Sequence, residues 1–341
     1  MAATIVRSDP AAGGIRRRRC GRGFSYLGTD AAVIKDPQIL TRIRSLVIPP
    51  AWEDVWICVD PLGHIQAVGT DAAGRRQYRY HDLWREQRDQ AKHDRVRDFG
   101  AVLPRIRKVV CRRLESRGLT RDRVLAAAIR LIDLGFFRPG GEEYAEENGT
   151  FGLATIRKEH VTLSQGQLVF EYLAKGAKQR EQAVAEDQVC AVVRSLRRRR
   201  DGGDQLLVYR SGPRWHDVTA ADINDYLREV SGGDYTAKDF RTWHATVLAA
   251  VGLAVSERAA GSEASRKRAI ARVVREVADY LGNTPAVARA SYIDPRIIER
   301  YEEGRTIASA LGELGKDCDF GDLATRDHAE KAVLRLLARC A

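Results

Sequence analysis

No two of the six cysteines in this chain (Cys20, Cys58, Cys111, Cys190, Cys318 and Cys340) lie close enough to make a CxxC-type metal pair. Nor does their spacing suggest a disulfide framework, so reduced thiols in a cytosol-like compartment are expected. No apolar run approaches the roughly 18–20 residues that a membrane-spanning helix needs. The N-terminus has no apolar signal-peptide core. A Walker-type phosphate loop, a metal-ligand cluster and an internal repeat are all missing. Disulfide-stapled, membrane-spanning, nucleotide-hydrolysing and metal-dependent classes therefore find no support, and neither a nucleotide, a metal nor any other cofactor is expected.

What is present is basic charge. The 341 residues carry a net charge of +11, with 44% hydrophobic residues as in an ordinary globular chain. Such an excess suits a polyanionic partner, nucleic acid being the commonest soluble one, although charge for solubility alone reads the same way. The length allows two domains. Residues 1–22, rich in Ala, Gly and Arg with Arg16 to Arg19 consecutive, read as a basic flexible arm.

The fold class expected is α+β: a small antiparallel β domain followed by a larger helical one. Residues 23–90 form the β-rich part. Val55 to Val59, Ile65 to Val68 and Gln77 to His81 are its strands, with turns at Asp60–Gly63 and Asp71–Gly74. Residues 83–95 read as helix or linker. Residues 91–341 are mainly helical. Ile106, Val110 and Leu114 mark one helix up to Gly118, and Thr120 caps the next, which ends at Gly135. Strands at 160–163, 168–173 and 179–185 make a short β-meander. Helices follow over 219–229, 238–255 and 266–281, and Thr284-Pro285 starts another that would carry Tyr292.

Some isolated residues in this background suit phosphodiester chemistry. Attack at phosphorus builds negative charge on the nonbridging oxygens, which fixed guanidinium forks bind well. The departing alkoxide needs a proton, which a lysine among other cations can supply with a lowered pKa. Arg138, Lys175, Arg241 and Tyr292 are the candidates. Singly, each is an ordinary surface or packed residue; their order and local context carry the argument.

That order resembles the type IB topoisomerases in their compact bacterial and poxvirus form. The matching segments are GHIQAVGTDAAGRRQYRYH (63–81), RPGGEEYAEENGTFGLATIRKEH (138–160), FEYLAKGAK (170–178), KDFRTWHAT (238–246) and LGNTPAVARASYIDP (281–295). The resemblance implies a cytoplasmic, nucleoid-associated enzyme that clamps double-stranded DNA as a monomer. Tyr292 would attack the scissile phosphate, Arg138 and Arg241 would hold its nonbridging oxygens, and Lys175 would protonate the 5′-oxygen. Many relatives have histidine where this chain has Asn283. Asparagine can donate a hydrogen bond to phosphate but cannot shuttle a proton.

The resemblance also implies DNA contacts. Gln77, Tyr78 and Tyr80 would face a groove from one strand, with Tyr78 and Tyr80 on the same face. Arg75, Arg76, Tyr144 and Lys238 would meet phosphates. The run Arg197 to Arg200 either approaches the duplex or is simply solvated, and His244 has no assigned role. Two other readings are a tyrosine recombinase, which shares the chemistry but has a helical N-terminal domain, and a non-catalytic architectural DNA binder.

Overall fold

The computed structural model describes residues 4–135, 137–140, 149–257, 261–311 and 327–338. It is a mixed α+β protein with two compact units dividing between Asp94 and Arg95. Among the described residues, no helix is long and apolar enough to cross a membrane.

The first unit is built on an antiparallel sheet of five strands: β1 (Ile15–Cys20), β2 (Gly23–Leu27), β3 (Glu53–Ile57), β4 (Ile65–Thr70) and β5 (Arg76–Tyr80), in the order β2-β1-β3-β4-β5. Alternation along the strands splits its apolar residues between two faces. Val55, Ile57 and Ala67 pack with Ile15 and with Ile43 of α1 (Pro37–Ser45), while Trp56, Cys58, Ile65 and Val68 form a second cluster. Helix α1 went unread in the sequence despite a clear start signal: the Asp36 side chain accepts from the Gln38 and Ile39 amides, and Pro37 stands at the first helical position.

The expectation of a flexible N-terminal arm is corrected over residues 6–8 and 15–20. Ser8 Oγ donates to the Ile65 carbonyl and accepts from the Ile65 amide, both at 3.0 Å. Arg16 to Arg19 pair with Leu27, Tyr26, Ser25 and Phe24 across the β1–β2 ladder. Arg17 donates to the Pro49 and Trp52 carbonyls and lies 4.2 Å from the Phe24 ring. Successive side chains of a strand alternate, so a run of arginines can stay hydrated while its backbone is fully paired. Charge alone said nothing about that backbone.

Residues 83–95 and the helix expected further on belong to one helix, α2 (Asp82–Leu114), which continues past Pro104. In the second unit Val96, Phe99, Leu103, Ile106, Val110 and Leu114 of α2 enter a large apolar core with α3 (Arg121–Gly135). A three-stranded sheet, β6 (Val161–Ser164), β7 (Gln167–Ala174) and β8 (Lys178–Val184), follows in that spatial order. Next come α4 (Asp187–Arg198), an unforeseen hairpin β9 (Val208–Ser211) and β10 (Arg214–Asp217), and α5 (Ala220–Ser231).

Helix α6 (Ala237–Ser256) is buried almost all round, which makes it the central rod of this unit. It is followed by α7 (Glu263–Leu281), α8 (Pro285–Ser291), α9 (Pro295–Glu302), α10 (Ala308–Leu311) and α11 (Asp327–Ala338). Of the basic run at 197–200, Arg199 is structural: its guanidinium donates to the carbonyls of Leu196 (2.7 Å), Leu206 (2.9 Å) and Gly202 (3.2 Å).

Candidate active site

The second unit brings Arg138, Lys175, Asn283 and Tyr292 from separate elements together with Arg241 and Lys238 of α6. Arg138 follows α3 in an extended segment that is fixed by backbone contact. Leu153 N donates to Arg138 O at 2.8 Å and Ala154 N to Pro139 O at 2.7 Å. Gly140 (φ 85°) lies against Gly152 so closely that a Cβ on Gly152 would come within 2.3 Å of Gly140 Cα. Only hydrogen at both positions permits that approach. Phe151 N donates to Leu173 O at 2.7 Å. The segment that grips Arg138 therefore also grips β7, the strand leading to Lys175.

Lys175 sits at the exposed tip of the β7–β8 hairpin, ahead of Gly176 and Ala177, both with positive φ. It lines one cavity with Arg138, Lys178, Arg180, Arg241 and Gly282. Arg241, on the second turn of α6, is 3% exposed and donates to the Leu281 carbonyl at 2.8 Å. Burial first, then the neighbouring Arg138, pulls its guanidinium below the ordinary value. A guanidinium nevertheless stays cationic at neutral pH.

Asn283 lies just beyond α7. Gly282 leaves that helix in the left-handed region (φ 64°), and Asn283 N closes the turn on Ala278 O at 2.8 Å. The Asn283 side chain accepts from Arg138 Nη2 at 2.6 Å through Oδ1. That contact assigns the amide orientation, and it leaves Nδ2 buried with no acceptor among the described residues. A buried donor without an acceptor is costly, and an anion's oxygen would satisfy it.

Tyr292 caps the end of α8. Its neighbours fix it: Ile293 is buried in the core, and Asp294 caps α9 by accepting from Arg296 N at 3.0 Å. Its carbonyl accepts from Thr246 Oγ1 of α6 at 3.3 Å. The Arg241 guanidinium lies 5.5 Å from the Tyr292 ring centroid. Burial opposes ionisation of the phenol, but Arg241, Arg138 and Lys238 together outweigh it and hold the phenol below its ordinary value. A phenol of lowered pKa beside two guanidinium groups, an orphan amide donor and a lysine is equipped for attack on a phosphate ester.

His244, one turn beyond Arg241, is fully buried in a charged network that sequence reasoning missed. Its Nε2 lies 3.2 Å from Asp133 Oδ1. Arg107 chelates the same carboxylate at 2.8 and 2.9 Å and reaches Glu330 of α11 at 2.6 and 3.0 Å. Glu330 in turn accepts from Trp243 Nε1 at 3.0 Å. Arg180 was also missed, although the hairpin register could have found it, since Arg180 pairs with Tyr172 across the turn.

The candidate DNA contacts of the first unit sit on the edge strand β5. Tyr78 and Tyr80 stack with ring centroids 6.0 Å apart, and Tyr78 is 44% exposed. Arg76 is exposed as well. Asp71 engages Gln77 Nε2 at 2.9 Å and Arg75 Nε at 3.0 Å. Tyr144 lies outside the described residues. Among the described residues no group of three or more His, Cys, Asp or Glu side chains is arranged to hold a metal ion.

Comparison with known proteins places the chain in a family. Residues 81–313 match the family of the eukaryotic DNA topoisomerase I catalytic core, and residues 23–71 match the N-terminal domain of bacterial DNA topoisomerase IB. The chain is 30% identical over 296 residues to DNA topoisomerase 1B of Acanthamoeba polyphaga mimivirus, covering 85% of this chain and 88% of that protein. It is 23% identical over 275 residues to DNA topoisomerase 1B of Vaccinia virus (strain Copenhagen), covering 80% and 82%. It is 31% identical over 161 residues to DNA topoisomerase 1 of Candidozyma auris, covering 46% of this chain and 20% of that one. By the extent of these matches and the order of its motifs, the chain belongs to the type IB DNA topoisomerases.

Proposed function

We propose that this enzyme relaxes supercoiled double-stranded DNA by cutting and resealing one strand, as a monomer and without ATP or a metal ion. Tyr292, its proton given up to water, attacks the scissile phosphorus through its phenolic oxygen. The bond from phosphorus to the 5′-oxygen breaks, Lys175 passes a proton to that oxygen, and a 3′-phosphotyrosyl link remains. Arg138, Arg241 and the Asn283 amide hold the nonbridging oxygens. After the free end rotates, the 5′-hydroxyl attacks back and returns the proton to Lys175. Arg76, Tyr78, Tyr80 and Gln77 contact the duplex from β5, and Lys238 and Arg75 contact phosphates, the latter by exchanging Asp71 for DNA.

The observation that carries this reading is the contact of the Tyr292 ring with Arg241, which itself lines a cavity with Arg138 and Lys175 and favours the phenolate. The test is a supercoiled plasmid incubated with chelator and no nucleotide, then stopped with detergent. The enzyme should relax both signs of supercoil and leave a covalent protein–DNA adduct. Tyr292→Phe should leave neither while binding DNA as before. Cleavage by the Phe variant would refute the assignment.

A further inference from the structure

Arg180 has no part in the scheme so far, yet it joins two of that scheme's elements. On β8 it stands directly opposite Tyr172 of β7. Its Nη2 donates to Tyr280 O at 3.0 Å and its Nη1 to Asp279 O at 3.4 Å. Those carbonyls belong to the last turn of α7, where a helix runs short of amide donors; Asp279 O also accepts from Gly282 N at 3.0 Å. Arg241 holds the next carbonyl, that of Leu281. Gly282 and Asn283 follow, and a Cβ on Gly282 would sit 3.2 Å from Arg180 Nη1.

We propose that Arg180 is a positioning residue: it straps the Lys175 hairpin to the C-terminal turn of α7, so that the lysine ammonium and the Asn283 amide address the same phosphate. The inference rests on Lys175 acting as the acid. The hairpin needs such a strap. Its tip is exposed, Gly176 and Ala177 have φ of 82° and 55°, and β8 is the outer strand of its sheet. Both terminal nitrogens of Arg180 face main-chain oxygens, so its task is to fix geometry, while Arg138 and Arg241 bind the oxyanion.

The test is single-turnover cleavage of two duplexes, one with the natural 5′-oxygen leaving group and one with sulfur in its place. A thiolate departs without a proton, so loss of acid catalysis is repaired on the sulfur duplex alone. Arg180→Ala should cut the oxygen duplex about 10–100-fold more slowly, the scale of a misplaced catalytic group, and the sulfur duplex within about threefold of the parent. Arg180→Gln, which keeps one donor for the carbonyls, should show a smaller loss with the same rescue, and both should melt close to the parent.

Equal losses on the two duplexes in a variant that melts normally would overturn the strap, as would no loss on either. Lys175→Ala is run alongside. If sulfur fails to rescue it, the acid assignment falls and the strap with it; if it is rescued and Arg180→Ala is not, the strap alone is wrong.

Discussion

Arg138 and Asn283, 145 positions apart in sequence, are joined by a 2.6 Å hydrogen bond from Nη2 to Oδ1. The bond does two things. It places a cation beside an amide, and it turns that amide so that Nδ2 is the group left to donate. In the proposed mechanism the pair would serve as one oxyanion holder with a donor of each kind.

Asn283→Asp should therefore slow cleavage by at least about 10²-fold, the usual scale for losing a transition-state donor. It keeps an acceptor for Arg138 but removes the donor and adds negative charge. Asn283→His should retain activity, because an imidazole N–H can replace the amide. Single-turnover rates at saturating DNA check both, and an active Asp variant would contradict the donor role.

Lys238 lowers the Tyr292 phenol through charge alone, one turn before Arg241 on α6. Lys238→Ala removes a cation that favours phenolate, so the tyrosine pKa should rise. The limb of the pH–rate profile on which cleavage increases with pH should then move to higher pH. A profile that falls uniformly at every pH would mean that Lys238 contributes to binding only.

Gly152→Ala places a methyl against the backbone of Gly140, where no side chain can swing away. Overpacking of this kind typically costs about 1–3 kcal/mol. The damage should reach Arg138 as well, because Leu153 holds its carbonyl. Denaturant unfolding should show the stability loss, and cleavage should fall further than the unfolded fraction accounts for.

Asp133 supplies a pH-dependent contribution to stability. Burial opposes its ionisation, but Arg107 by charge and hydrogen bond, and then His244, hold its carboxyl far below the ordinary 3.8. A carboxyl depressed in the folded state stabilises the fold above its unfolded pKa and loses that contribution as pH falls below it. Asp133→Asn should cost about 3–5 kcal/mol at neutral pH, the scale for breaking one side of a buried pair. It should also flatten the loss of stability on acidification. Unfolding midpoints measured from pH 7 down to pH 3 test the sign.

Much of the site could be read from sequence because each part announces itself locally. Lys175 follows a strand at a Gly-containing turn, Gly282 ends an amphipathic helix, and Thr284-Pro285 starts the next. The network of Arg107, Asp133, His244 and Glu330 could not be read that way. Its members come from four helices, and no local pattern tells a buried ion from a solvated one. Helix α2 was not read as one element because residues 83–95 are charged and polar, with no apolar stripe to mark a helix. The β1 strand was hidden by its arginines, whose charge dominated any period-two signal.

The place of β1 between β2 and β3 limits how this protein can be trimmed. Deleting the N-terminal 20 residues to shed positive charge would strip β2 of its partner and bare an edge of β3. Such a shortened version is expected to aggregate rather than merely bind DNA less tightly. Charge is better reduced one arginine at a time, sparing Arg17, whose guanidinium ties the strand to the Pro49 carbonyl.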